Sequence, residues 1–203
     1  MSILDELYPE VEPPLRFENP YQLLIAAMLS ANSTDRVVNR VCEVLFRMAP
    51  SPMHIHRMPL EKLIKIIKPC GLSKNKARNI KKTTEIIIKE YGGQVPANRV
   101  ELLNLPGVGM KVASVVLSQA FGIPAFPVDT HIFRLMRRWG LSKGRTPEAV
   151  MRDCMSIFPE NKWNKLHLQI IYYGREYCRA KGHSIEKCVI CRTLASQFPS
   201  HVN

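Results

Sequence analysis

The sequence predicts an all-α protein. Almost every periodic segment carries apolar residues at helical spacing, no stretch alternates as a strand would, and capping residues, Pro and Gly separate the segments. No internal repeat accompanies them.

Asn19-Pro20-Tyr21-Gln22 supplies an N-cap, a proline at the first helical position and a Gln at the third. The apolar run Leu23 to Leu29 predicts a helix buried nearly all round. Ser30 to Asp35 breaks it, and Val37, Val38, Val41, Val44, Leu45 and Met48 mark one face of a second helix. Leu60, Leu63, Ile64 and Ile67 make a third, halted by Pro69 and Gly71. Gly71-Leu72-Ser73 opens a fourth through Ala77, Ile80, Thr84 and Ile87, ended by Gly92-Gly93. Its outer face carries Lys74, Lys76, Arg78, Lys81 and Lys82, either a solvated face or a track for phosphates. Asn98-Arg99-Val100-Glu101 is a capping-box pattern for a short helix, Arg99 to Asn104. Leu105-Pro106-Gly107-Val108-Gly109 joins it to a helix from Met110 to Phe121, a tight hairpin with small residues Ala113 and Ser114. Beyond Gly122, Asp129 caps a helix to Trp139, Thr146-Pro147-Glu148 starts another, and Trp163 to about Arg179 forms a last long one.

At 203 residues the chain can form one large or two small domains. Its net charge of +12 favours a polyanionic partner, nucleic acid first. The basic residues are scattered and do not stack beside an apolar tract, which disfavours a membrane surface. No apolar run approaches the roughly eighteen residues of a membrane span. The acidic start MSILDELYPEVEPPL lacks a signal pattern, so a cytoplasmic protein is expected, in which six cysteines do not form a disulfide framework. Cys42, Cys70 and Cys154 lie in apolar contexts as small core residues, whereas Cys178, Cys188 and Cys191 cluster near the C-terminus.

Chemistry concentrates between Leu105 and Arg138. Gly107 and Gly109 permit backbone conformations closed to other residues, so amide N–H groups can converge where the next helix presents its positive end. That turn either binds phosphate or merely joins two helices. Lys111 sits in the first helical turn, where the macrodipole disfavours a cation. It is a surface lysine, or a partly buried amine that loses its proton readily and acts as a nucleophile. Asp129 is a good N-cap, and a carboxylate so held also suits stabilising a developing cation.

Leu105-Pro-Gly-Val-Gly-Met-Lys-Val-Ala113 followed by Val128-Asp-Thr-His131 resembles the helix-hairpin-helix and Gly/Pro-Asp signature of DNA glycosylases of the endonuclease III family. Met28 to Asp35 and Gly71 to Ala77 resemble that family's two DNA-contacting loops, and Leu166 to Cys178 resembles the approach to its iron–sulfur loop. The similarity runs from about Asn19 to Cys191.

The resemblance implies two helical domains with the active-site cleft between them. One is a six-helix domain, 15–123, containing the hairpin at 99–121; the other joins 1–14 to 124–203 and carries the cysteine loop, 178–191. It implies a monomer acting on double-stranded DNA with damaged bases or abasic sites, nucleoid-associated if bacterial. The damaged base is extruded, Asn32 and Leu72 fill the vacated space, and Gly107, Val108, Gly109 and Lys111 contact DNA. Lys111 attacks C1′ with Asp129 assisting, and the Schiff base leads to strand cleavage by β-elimination. A monofunctional glycosylase for another lesion or mismatch, and a non-catalytic helix-hairpin-helix DNA-binding protein, are the alternatives. Val112 replaces a threonine common after the lysine, and Asn32 stands where glutamine is frequent.

The family pattern C-x6-C-x2-C-x5-C holds a [4Fe–4S] cluster. This chain has Cys178-x9-Cys188-x2-Cys191 and Gln197 at the fourth position. Three readings follow: a cluster with a substitute ligand, His183 or His201; a Cys3His zinc site; or no metal.

Overall fold

A computed structural model describes residues 1–197, and among these every regular element is helical. The chain divides into two compact units, Pro13–Gly122 and Met1–Glu12 joined with the chain from Ile123 on.

The first unit holds α2 (Pro20–Leu29), α3 (Asp35–Met48), α4 (Pro52–Arg57), α5 (Leu60–Ile67), α6 (Ser73–Tyr91), α7 (Arg99–Leu103) and α8 (Met110–Ala120). α2 starts where Asn19 accepts from the Gln22 amide, and its residues Tyr21 to Leu29 are all buried. α8 packs against it, and Ala113, Ser114, Val116 and Leu117 of α8 are buried. In α3 the buried stripe is Val38, Val41, Cys42 and Leu45, while Val44 and Met48 are each 46% exposed. The stripe expected from the sequence was therefore drawn one line too wide. α4 is an additional element: Ser51-Pro52 begins it, but Ile55 is its one buried residue, so no periodicity announces it. α6 ends on Gly92 in the left-handed region, φ 58°.

The second unit holds α1 (Ser2–Leu7), α9 (Thr130–Arg138), α10 (Pro147–Ile157), α11 (Trp163–Glu176) and α12 (Val189–Gln197). α1 buries only Leu4, yet it is anchored to α11: Gln169, 2% exposed, donates to the Leu4 and Tyr8 carbonyls and to Asp5 Oδ1. α11 stops three residues before Arg179, because the amides of Tyr177 and Cys178 both turn back to the Tyr173 carbonyl. That turn directs Cys178 into the interior, where it is 0% exposed. No helix among the described residues is long and apolar enough to cross a membrane.

Candidate nucleic-acid site and metal centre

The hairpin turn is built by packing on α6. Leu105 and Val108 are buried, and Thr83 Oγ1 donates to the Pro106 carbonyl at 2.8 Å. Gly107 has φ 81°, and a Cβ there would meet Asn79 Cβ and Nδ2 at 2.9 Å. Both the dihedral and the space require glycine. Gly109 differs from expectation: at φ −96°, ψ 179° it is ordinary extended backbone, with nothing within 4 Å of an added Cβ. Its value is as an N-cap without a side chain, so no side-chain acceptor covers the first amides of α8. Gly107 and Gly109 are exposed and Val108 is buried, so the turn offers backbone, not side chains, to an anion.

Lys111 follows on the first turn of α8 and is exposed, the surface position of the two that the sequence left open. The apolar face of α8 is turned to α2, which leaves this position outward.

Asn32 and Leu72 share an unusual property. Among the described residues they are the two non-glycine residues with positive φ, 55° and 47°, and both are exposed, Leu72 at 62%. Backbone strain of this kind persists where surroundings fix it. The fixing group is Lys76, which the sequence reading put on the outer, solvated face of α6. It is 8% exposed, and its Nζ donates to the carbonyls of Leu29 (2.9 Å), Ala31 (2.6 Å) and Cys70 (2.6 Å). Those acceptors satisfy all three ammonium protons and tie the Asn32 loop to the Leu72 loop. Ser33 Oγ adds a further bond to the Cys70 carbonyl. Burial pushes the pKa of Lys76 down. Lys81 is also withdrawn from the track: Nζ donates to the carbonyls of Ile55, His56 and Met58 at the end of α4. Lys74, Arg78 and Lys82 remain exposed as its basic residues.

In the second unit Asp129 is the N-cap of α9, its Oδ1 accepting from the Ile132 amide at 2.8 Å. The preceding strip, Ala125 to Val128, is buried. Asn164 accepts from the Ala125 amide at 3.1 Å, and Phe126 stacks on Phe158 with ring centroids 5.9 Å apart. Behind Phe126 lies His167, 0% exposed, with Nδ1 3.0 Å from the Trp163 carbonyl. Burial lowers the pKa of His167 to about 4, so it is neutral at physiological pH.

α9 is bonded to the cysteine loop by two arginines. Arg134 Nη2 donates to the carbonyls of Gly174 (2.9 Å) and Cys178 (2.8 Å), and Arg138 Nη1 to Cys178 Sγ (3.2 Å) and the Arg179 carbonyl (3.0 Å). Gly174 lets α11 approach this closely, since a Cβ there would lie 3.3 Å from His131 Cβ. Cys178, Cys188 and Cys191 are each 0% exposed, and with His183 they form one group whose donor atoms all lie within 4.8 Å of one another. The group could hold a metal ion, and its fourth donor is a histidine. His201 lies outside the described residues.

The sequence matches the family model "HhH-GPD superfamily base excision DNA repair protein" over residues 25–160. It is 41% identical to endonuclease III of Bacillus subtilis (strain 168) over 186 residues, covering 91% of this chain and 85% of that protein. Its fold is similar to that of a trapped endonuclease III–DNA covalent intermediate, with TM-score 0.90, 38% identity, and 97% of this chain and 94% of the other covered. It is equally similar to a non-covalent endonuclease III–DNA complex, with TM-score 0.90, 38% identity and coverage of 98% and 95%. The chain thus belongs to the endonuclease III family within the HhH-GPD superfamily of base excision DNA repair proteins.

Proposed function

We propose that the protein is a bifunctional DNA glycosylase and AP lyase that removes oxidised pyrimidines from duplex DNA. The observation that carries this reading is an exposed lysine, Lys111, directly after a hairpin turn with uncovered amides, in a chain of the endonuclease III family.

The unit with the hairpin supplies the amine and the DNA contacts, and the other supplies the carboxylate. The amides at Gly107 and Gly109 hold a backbone phosphate, which sets register without reading sequence; the Val108 amide, expected from the sequence to join them, is already given to the Leu105 carbonyl at 3.0 Å. Asn32 and Leu72 enter the space left by the extruded base, one polar and one an apolar wedge. Their loops share Lys76 as anchor, so the two insertions arrive pre-positioned.

The neutral amine of Lys111 attacks C1′; the C1′–N bond breaks and its electron pair leaves with the base. Asp129 assists the nucleophile and stabilises positive charge on the sugar. Loss of the ring oxygen's bond to C1′ gives a Schiff base, which acidifies the C2′ proton. Its removal expels the 3′-phosphate, and water then releases Lys111. The family's iron–sulfur chemistry enters none of these steps. A DNA substrate supports a location with the nucleoid, in the cytoplasm, where the host is bacterial.

The test is a cleavage panel of duplexes bearing an oxidised pyrimidine, an abasic site or an undamaged pair. Strand breaks without alkali at the first two are expected. Base release with an intact strand would leave a monofunctional glycosylase, and no reaction would leave a binding module.

A further inference from the structure

We propose that Cys178, His183, Cys188 and Cys191 bind a single tetrahedrally coordinated metal ion, zinc by ligand class, with His183 Nε2 as the fourth ligand. The site is separate from the glycosylase reaction and does not depend on that reading.

Donor spacing is the first observation. Cys178 Sγ and Cys191 Sγ lie 3.8 Å apart, and all four donor atoms fall within 4.8 Å of one another. Zinc–sulfur and zinc–nitrogen bonds place adjacent donors of a tetrahedron about 3.5–3.8 Å apart. A four-iron cluster takes four thiolates, each on a separate iron, so its donors stand farther apart and differ in type.

His183 itself is the second. Its Nε2 is buried and makes no hydrogen bond among the described residues. An unsatisfied buried polar nitrogen is costly, and a metal bond removes that cost.

The surroundings of the sulfurs complete the argument. Arg138 Nη1 donates to Cys178 Sγ at 3.2 Å. Tyr173 OH lies 3.1 Å from Cys188 Sγ while its oxygen accepts from the Ile190 amide at 3.1 Å, so the hydroxyl proton is directed at sulfur. Such outer donors are suited to thiolates and tune a metal's ligands. Three thiolates and a divalent ion sum to one negative charge, which Arg138 balances. With four protein ligands the site has no open position, the mark of a structural centre. Through Arg134 and Arg138 it would set the position of α9, the helix capped by Asp129.

The full chain, purified with both iron and zinc supplied, should contain about one zinc per chain and no visible chromophore. X-ray absorption should report three sulfur scatterers and one nitrogen. His183→Ala should lose the ion to a competing chelating dye at a concentration at least about 100-fold lower than wild type, whereas His183→Cys should retain it. Four irons with labile sulfide per chain would overturn the proposal, as would a metal-free wild type, a shell without nitrogen, or undiminished retention in His183→Ala. The absorption measurement uses wild type alone and decides the matter even if His183→Ala fails to fold.

Discussion

The ammonium of Lys76 donates to the carbonyl of Cys70 at 2.6 Å, while its other protons reach Leu29 and Ala31 across the interior of the same unit. One buried cation therefore closes both loops on which Asn32 and Leu72 adopt positive φ. Replacing it with an apolar side chain strands three carbonyls and frees both loops.

Lys76→Met should lower the unfolding free energy by about 3 kcal/mol in urea titration, the cost of several buried charge-assisted bonds. Lesion cleavage by the variant, measured well below its melting temperature, should fall by at least about tenfold, since misplaced positioning groups alone cost that much. Lys74→Met, on an exposed residue, should leave stability within about 0.5 kcal/mol.

The two hairpin glycines should respond differently. Gly107→Ala combines φ 81° with a 2.9 Å approach to Asn79 and should destabilise by about 2–3 kcal/mol in denaturant unfolding. Gly109→Ala meets nothing within 4 Å and should remain within about 1 kcal/mol of wild type.

Asp129 caps α9 and, in the proposed reaction, is also the catalytic carboxylate; a substitution pair separates the two. Asn caps a helix about as well as Asp, so Asp129→Asn should unfold within about 0.5 kcal/mol of wild type while glycosylase turnover falls about 100- to 10,000-fold. Asp129→Ala should add a loss of about 1 kcal/mol in stability.

His167 gives a pH signature. Burial lowers its pKa from 6.5 to about 4, so between those values the unfolded chain takes up a proton that the folded chain refuses. Stability is therefore intact above pH 6.5 and falls with acidification, by up to about 3 kcal/mol near pH 4 from this residue. Burial depresses His131 as well, adding a slope of the same sign. Denaturant unfolding across that range should show a shallower decline for His167→Gln; an unchanged slope would remove His167 from the account.

Helix identity was legible wherever a full apolar stripe was present, as in α2, α6 and α8, because burial imposes that periodicity directly. α1 and α4 were not legible, since each buries one side chain and is held by longer-range contacts, Gln169 for α1 and Lys81 for α4. The lysines of α6 looked alike by type and are not. Lys76 stands one turn before Ile80 on the buried stripe, a positional signal that outweighs its charge, whereas Lys81 is fixed by a neighbouring helix end that the local sequence does not reveal. Gly107 was legible as a special conformation and Gly109 was misread, because glycine also serves where only a missing side chain matters. His183 was one candidate among two; its placement beside three thiols, half-buried with Nε2 covered, is a product of the loop's path, which spacing alone does not define.

The central claim is that Lys111 forms the covalent bond to the sugar. Wild-type protein incubated with an abasic-site duplex and borohydride should give a protein–DNA adduct that peptide mapping assigns to Lys111, and Lys111→Ala should give none. No adduct with wild type, or equal trapping by Lys111→Ala, would contradict it.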